Sequence, residues 1–123
     1  MDEHTGVDAL MGTGGAPEGV ISACAVRCMG GDMQARFVFR NDEERERTRK
    51  MIDGDPDRIF TTTDLAEGDV LFCATGVTDG PMLKGVKYGR TGANTDSIVM
   101  RSRSGNTRRI QTHHRLAPHA HPF

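Results

Sequence analysis

The run Met11-Gly12-Thr13-Gly14-Gly15-Ala16-Pro17-Glu18-Gly19 places a phosphate-sized glycine loop, a helix start and a carboxylate within nine residues. Val7, Ala9, Leu10 and Met11 before it suit a short buried strand. Val20, Ile21, Cys24, Ala25 and Cys28 after it recur at helical spacing, so the run reads as a strand-to-helix turn. Pro17 fits the first helical position, where its missing N–H costs nothing, and Glu18 then falls in the first turn among free backbone N–H groups. Those groups and the positive end of the helix dipole attract anions such as phosphate.

Glu18 has two readings. It is either a surface carboxylate that complements the dipole, worth roughly 0.3–1 kcal/mol, or an oxygen ligand for a hard cation such as Mg2+ or Mn2+ that grips a phosphate held by the loop. Spacing alone does not choose between them. The run is not a Walker loop, because no Gly-Lys-Ser/Thr follows, and it does not meet the dinucleotide fingerprint cleanly.

Other chemistry-bearing residues point to structure. Cys24, Cys28 and Cys73 are an odd number, which disfavours a disulfide framework. Cys24 and Cys28 lie along the apolar face of the expected helix with no second pair at zinc-like spacing, so they read as small buried hydrophobes. Asp53-Gly54-Asp55-Pro56-Asp57 has the carboxylate spacing of a calcium loop but is too short and lacks the later glutamate, which leaves a polar turn. His113, His114, His119 and His121 alternate with Pro118 and Pro122, and residues 113–123 are expected to be a disordered His/Pro-rich tail.

The elements that must hold the glycine loop follow from patterning over 123 residues, one domain's worth of chain. Gly30-Gly31 ends the first helix and Ala35 to Phe39 reads as a strand. Asn41 caps a second helix, acidic in its first turn and basic beyond, a solvated helix rather than a nucleic-acid patch. Ile59 to Thr62 and a buried Val70 to Ala74 follow as strands, and Ser97 to Arg101 with Thr107 to Thr112 form a hairpin around Ser104-Gly105-Asn106. Two helices against a mixed sheet of about five strands is the expected α/β domain. Sixteen basic and 17 acidic residues leave a formal charge of −1, which favours neither nucleic acid nor an anionic membrane. No apolar run approaches the roughly 20 residues needed to span a bilayer, and the polar start cannot serve as a signal peptide, so a cytoplasmic protein is expected.

Several motifs in register carry a resemblance. Gly6-Val7-Asp8-Ala9-Leu10-Met11-Gly12-Thr13-Gly14-Gly15-Ala16-Pro17-Glu18-Gly19, Asn41-Asp42-Glu43-Glu44, Asp55-Pro56-Asp57-Arg58, Thr61-Thr62, Asp64-Leu65, Ala74 to Gly80, Leu83-Lys84-Gly85-Val86 and Ser97 to Ser102 resemble class II fructose-1,6-bisphosphatase in order and spacing. The match runs over residues 1–112 as the C-terminal part of that domain. It implies membership of the lithium-sensitive sugar-phosphatase superfamily and the corresponding part of a layered α-β-α-β-α fold.

The resemblance implies removal of the 1-phosphate of fructose 1,6-bisphosphate, a step of gluconeogenesis, with Mn2+ or Mg2+ as cofactor. Sedoheptulose 1,7-bisphosphate is accepted by some relatives. It places Gly15 at the sugar bisphosphate and Glu18 on the metal. The N-terminal half of such an enzyme, with its other metal ligands and the groups that activate water, has no counterpart here. Little or no phosphatase activity is therefore expected of the chain alone. The expected partners are a sugar bisphosphate and either a homo-oligomer or an N-terminal partner chain. A truncated inactive remnant and a non-enzymatic sugar-phosphate binding module are the alternatives. Lys84, Lys87, Tyr88 and Arg90 read as surface or subunit-contact residues.

Overall fold

The computed structural model describes residues 6–115. In chain order the elements are α1 (Ala16–Cys28), β1 (Gln34–Ala35), α2 (Asp42–Met51), β2 (Phe60–Thr61), α3 (Thr62–Leu65), β3 (Leu71–Thr75), β4 (Lys87–Tyr88), β5 (Gly92–Arg101) and β6 (Asn106–Arg115). The α/β class agrees with the sequence reading, while its detail differs. A two-stranded sheet, β1-β2, stands apart from a four-stranded sheet, and every pairing is antiparallel.

β5 is the spine of the larger sheet. β6 pairs along one side from Gly92↔Arg115 to Arg101↔Asn106, and β3 and β4 share the other. The hairpin closes where expected, at Gly105, whose φ of 64° is the left-handed turn conformation that glycine adopts without steric cost. The expected tail boundary at residue 112 is corrected, because His113, His114 and Arg115 are strand residues. His113 Nδ1 lies 2.7 Å from Asn94 Oδ1 and His114 Nε2 lies 2.8 Å from Thr95 Oγ1. Backbone pairing and polar cross-strand pairs extend this strand without the apolar alternation that sequence reading looks for. His119 and His121 lie outside the described residues.

Local chemistry accounts for the helices. Asn41 Oδ1 accepts from the Glu44 N–H at 2.8 Å, and Glu44 Oε2 accepts from the Arg40 N–H at 3.0 Å, which fixes the start of α2. No residue of α2 is buried, as expected of a solvated helix. α3 was not anticipated: four residues are too few to show a period, and a capping box between Thr61 and Asp64 specifies it instead. Those bonds to Thr61, with Arg58 nearby, hold the Asp64 carboxyl below its ordinary range. The buried Thr62 hydroxyl joins α3 to the chain before β1 by accepting from the Met33 N–H at 2.7 Å.

Two strand expectations fail for one reason, which is that a strand needs neighbours. Residues 7–11 form no strand, and Leu10 and Met11 are 93% and 95% exposed; no ladder partner lies beside them among the described residues. β3 is not buried on both faces, since α1 covers one only. Phe72 and Ala74 are half-buried, while Leu71, Cys73 and Thr75 are exposed. The expected strand at 35–39 shrinks to Gln34–Ala35, and Phe37 instead meets Phe60 edge-on at 5.3 Å between ring centroids.

The core is small: Ala23, Cys28, Phe60, Ala66, Ala93 and Met100 are its buried hydrophobic residues. Burial pushes the Cys28 thiol pKa up, and its Sγ lies 3.7 Å from the Val70 carbonyl, which fits the small-hydrophobe reading. Met100 is 2% exposed, so Met100→Ala should cost about 2–5 kcal/mol. Leu10→Ala should stay within about 0.5 kcal/mol. Denaturant melts of the two variants against the parent check this, and equal losses would refute it.

Candidate functional site

The glycine loop leads into a well-anchored helix. Gly15 is the N-cap residue of α1, and Pro17 occupies the second helical position, one later than expected, where it still costs no internal hydrogen bond. At the other end Gly31 N–H donates to Val26 O at 3.0 Å and Gly30 N–H to Arg27 O at 3.2 Å, a Schellman closure around Gly30 with φ 72°. Between these ends Ala23 and Cys28 are buried, and α1 packs on α3, β3 and β5. Arg27 reaches the Ala66 carbonyl and strengthens the contact with α3. The helix is thus held by its C-terminal half, and its first turn stands clear.

Gly15 and Glu18 are brought together at that free end. A side-chain carbon built on Gly15 would collide with Glu18 Oε2, so the glutamate carboxylate folds back over the glycine. Neither Gly12, Gly14 nor Gly15 has a positive φ. Gly15 therefore matters for space rather than backbone freedom. No side chain caps this end of α1, which leaves first-turn N–H groups and the positive end of the dipole beside a carboxylate. Both residues are exposed.

Such an end can attract an anion, and the carboxylate can contribute one bond to a hard cation. A Mg2+-type ion asks for about six oxygens. Among the described residues no three His, Cys, Asp or Glu side chains converge, so these residues do not complete a metal site by themselves.

The remaining motifs of the resemblance do structural work. Asp55 Oδ1 accepts from the Asp57 N–H at 2.9 Å, and Asp57 is gripped by Arg45 Nε at 2.9 Å, which makes 53–57 a polar turn tied to α2. Gly76 and Gly85 lie where two stretches of chain cross: side-chain carbons built on them would strike the backbone of Lys84 and of Thr78 and Asp79 respectively. Asp79 holds the same crossing, accepting from the Gly85 N–H at 2.8 Å and Lys87 Nζ at 2.7 Å. Tyr88 is exposed.

Sequence reasoning missed Asp96, the carboxylate at the centre of this region. It is 3% exposed, accepts from the Lys84 N–H at 2.9 Å and from Arg109 Nη2 at 2.6 Å, and its own carbonyl accepts from the Gly76 N–H at 2.9 Å. Arg109 Nη2 also donates to the Met82 carbonyl at 3.1 Å. These bonds, that from Arg109 foremost, hold the Asp96 pKa down at about 2. The signal was present in the strand period: Asp96 shares a face with Ile98 and Met100, where a charge needs a partner.

Comparison with known proteins adds identity to this geometry. The family model described as "Bacterial fructose-1,6-bisphosphatase, glpX-encoded" matches residues 1–114. A Crocosphaera subtropica protein named D-fructose 1,6-bisphosphatase class 2/sedoheptulose 1,7-bisphosphatase is 42% identical over 123 aligned residues, covering 89% of this chain and 36% of that protein. Proteins of the same name from two Synechococcus strains are 41% and 40% identical, again over 89% of this chain and 35% of theirs. The chain thus spans about a third of the length of these curated relatives. Among the described residues no helix is long and apolar enough to cross a membrane.

The Asp96 clamp has a pH signature. Its folded pKa of about 2 lies below the ordinary aspartate value of about 3.9. Its contribution to stability is therefore complete above pH ~4 and is lost as pH falls toward about 2. Asp96→Asn should lower the melting temperature at neutral pH and flatten part of the fall in acid. Asp64, Asp69 and Asp79, also held low, carry the remainder. Thermal melts at several pH values check this, and an unchanged acid slope in the variant would reject Asp96 as a contributor.

Proposed function

The chain belongs to the bacterial, glpX-encoded fructose-1,6-bisphosphatase family, and from that premise we propose that it supplies one wall of a sugar-bisphosphatase site rather than a whole one. The observation that carries this is the contact of Gly15 with Glu18 at the uncapped end of α1, inside the region the family model matches. In this reading the bare backbone at Gly15 lets the sugar bisphosphate approach. The first-turn N–H groups favour its phosphate, and Glu18 gives one oxygen ligand to Mn2+ or Mg2+. The reaction is hydrolysis of the 1-phosphate of fructose 1,6-bisphosphate. The relatives' name keeps sedoheptulose 1,7-bisphosphate as a second substrate of the same site.

The rest of the site comes from polypeptide equivalent to the other two-thirds of the relatives' length. Val7, Leu10 and Met11 before the loop and Val20 and Ile21 on the free half of α1 are exposed apolar residues on the surface such a partner would cover. A strand laid beside residues 7–11 would also supply the ladder that segment lacks. An inactive remnant and a plain sugar-phosphate binder share this geometry but leave that surface without a use.

The 123-residue chain alone should release no phosphate from fructose 1,6-bisphosphate with Mn2+. Co-expressed with the N-terminal two-thirds of a relative, it should restore release. Glu18→Gln should then cost at least about 10–100-fold, the loss usual when support of a metal ion is removed, and Gly15→Ala should also reduce the rate by displacing the carboxylate. Turnover by the chain alone would sink the partial-site reading. Full activity of the glutamine variant would remove Glu18 from the site, and calorimetric binding of the bisphosphate without any restored turnover would favour the binding module.

A further inference from the structure

The far end of α1 opens onto a cleft of about 350 Å³ lined by Arg27, Gly68, Asp69, Ser102 and Arg103. Three segments build it: the last turn of α1, the bend before β3 and the turn of the β5–β6 hairpin. Asp69 accepts from Arg101 Nη2 at 2.7 Å, from Ser102 Oγ at 3.2 Å and from the Arg103 N–H at 3.2 Å, and Ser102 Oγ in turn accepts from the Val70 N–H at 2.9 Å. Arg27 reaches the Ala66 carbonyl. The walls are thus joined to one another by residues of this chain.

The charges of the cleft are unevenly matched. Asp69, the one carboxylate in the lining, is already answered by Arg101. Arg27 is half-buried and donates to a neutral carbonyl, and among the described residues neither its guanidinium nor that of Arg103 meets a carboxylate. From Lys84 onward the chain carries eight Lys or Arg residues and one acid, Asp96, which Arg109 holds, so the hairpin side of the cleft lies in a positive field. The carbonyls that end α1 offer little opposition, because those of Ala25, Val26 and Arg27 are taken by the backbone closure after the helix.

We propose that this cleft binds a phosphate group, free or carried by a small metabolite, through Arg27 and Arg103. A guanidinium presents its N–H groups in a planar fork that pairs bidentately with phosphate, and two forks from separate elements suit a dianion better than chloride. The volume falls in the small-ligand range of about 300–1,000 Å³. A side-chain carbon built on Gly68 would meet nothing within 4 Å, which leaves that wall open to the rest of an ester. Bound there, the phosphate ties the last turn of α1 to the hairpin. Glu18 lies nine residues earlier, roughly 14 Å along the same helix. The proposal rests on these residues and not on the phosphatase reading.

Amide NMR of the isotope-labelled chain, titrated with inorganic phosphate against chloride at matched ionic strength, tests this. The signals of Gly68, Asp69, Ser102 and Arg103 should shift along one saturating curve. Arg103 is exposed, and Arg103→Gln should weaken that curve at least about tenfold, the loss of a hydrogen bond to a charged group, while the signals of residues 15–18 respond as in the parent. Arg27→Lys keeps the charge without the fork and should weaken it too; this variant decides the matter if the glutamine variant does not fold. Fructose 6-phosphate in place of the free ion identifies the source: the same amides move if the cleft takes an ester and stay still if it takes the ion alone, and either result upholds the site. Shifts that chloride reproduces, a phosphate response confined to residues 15–18, or an unchanged curve in the arginine variants would overturn the proposal.

Discussion

Asp96, a carboxylate buried in the middle of β5, ties three separate stretches of chain to one point. Its side chain takes the Lys84 N–H and the Arg109 guanidinium, and its carbonyl takes the Gly76 N–H. The long loop between β3 and β4 is thereby fastened over the sheet at both of its arms, and β6 is fastened to β5 by a side-chain bond besides the ladder. A charge so placed tolerates no loose geometry, because an unpaired buried carboxylate would be far costlier than the paired one. The sheet that results gives α1 a surface to lie on, and α1 holds the glycine loop. The candidate site is therefore positioned from the opposite end of the chain.

Much of this arrangement could be read from residue types, and the failures share a cause. α2, the end of α1 and the β5–β6 hairpin are specified locally, by Asn41, by Gly30-Gly31 and by Ser104-Gly105-Asn106, and each is where those residues put it. Residues 7–11 and the outer face of β3 were read as buried because their composition is apolar. Burial, however, is a relation to neighbours, and composition carries no record of which neighbours are present. α3 and the last residues of β6 were missed for the converse reason: polar residues build them through a capping box and cross-strand pairs, which hydrophobic period does not reveal.

Glycine shows why a family motif and a site are different things. Gly15, Gly76 and Gly85 all fall in the matched motifs and none needs a left-handed backbone. Gly76 and Gly85 keep two crossing backbones apart, where nothing can give way, whereas Gly15 makes room for the mobile end of a glutamate. The first two are packing constraints. Only at Gly15 is the space filled by a group with chemistry of its own, and only there does the surrounding backbone offer unsatisfied donors.

Most motifs carrying the family resemblance are accounted for by the fold, and the resemblance by itself gives no one side chain its chemistry. Glu18 gains its standing from geometry: exposed at the uncapped end of an anchored helix, it spends its carboxylate on no partner among the described residues. Its reach back over Gly15 is the ordinary one of a glutamate at the third helical position toward its N-cap. The contact with Gly15 sets a free carboxylate oxygen and a backbone without a side chain within one turn of each other, the arrangement that the proposed cation and phosphate would require.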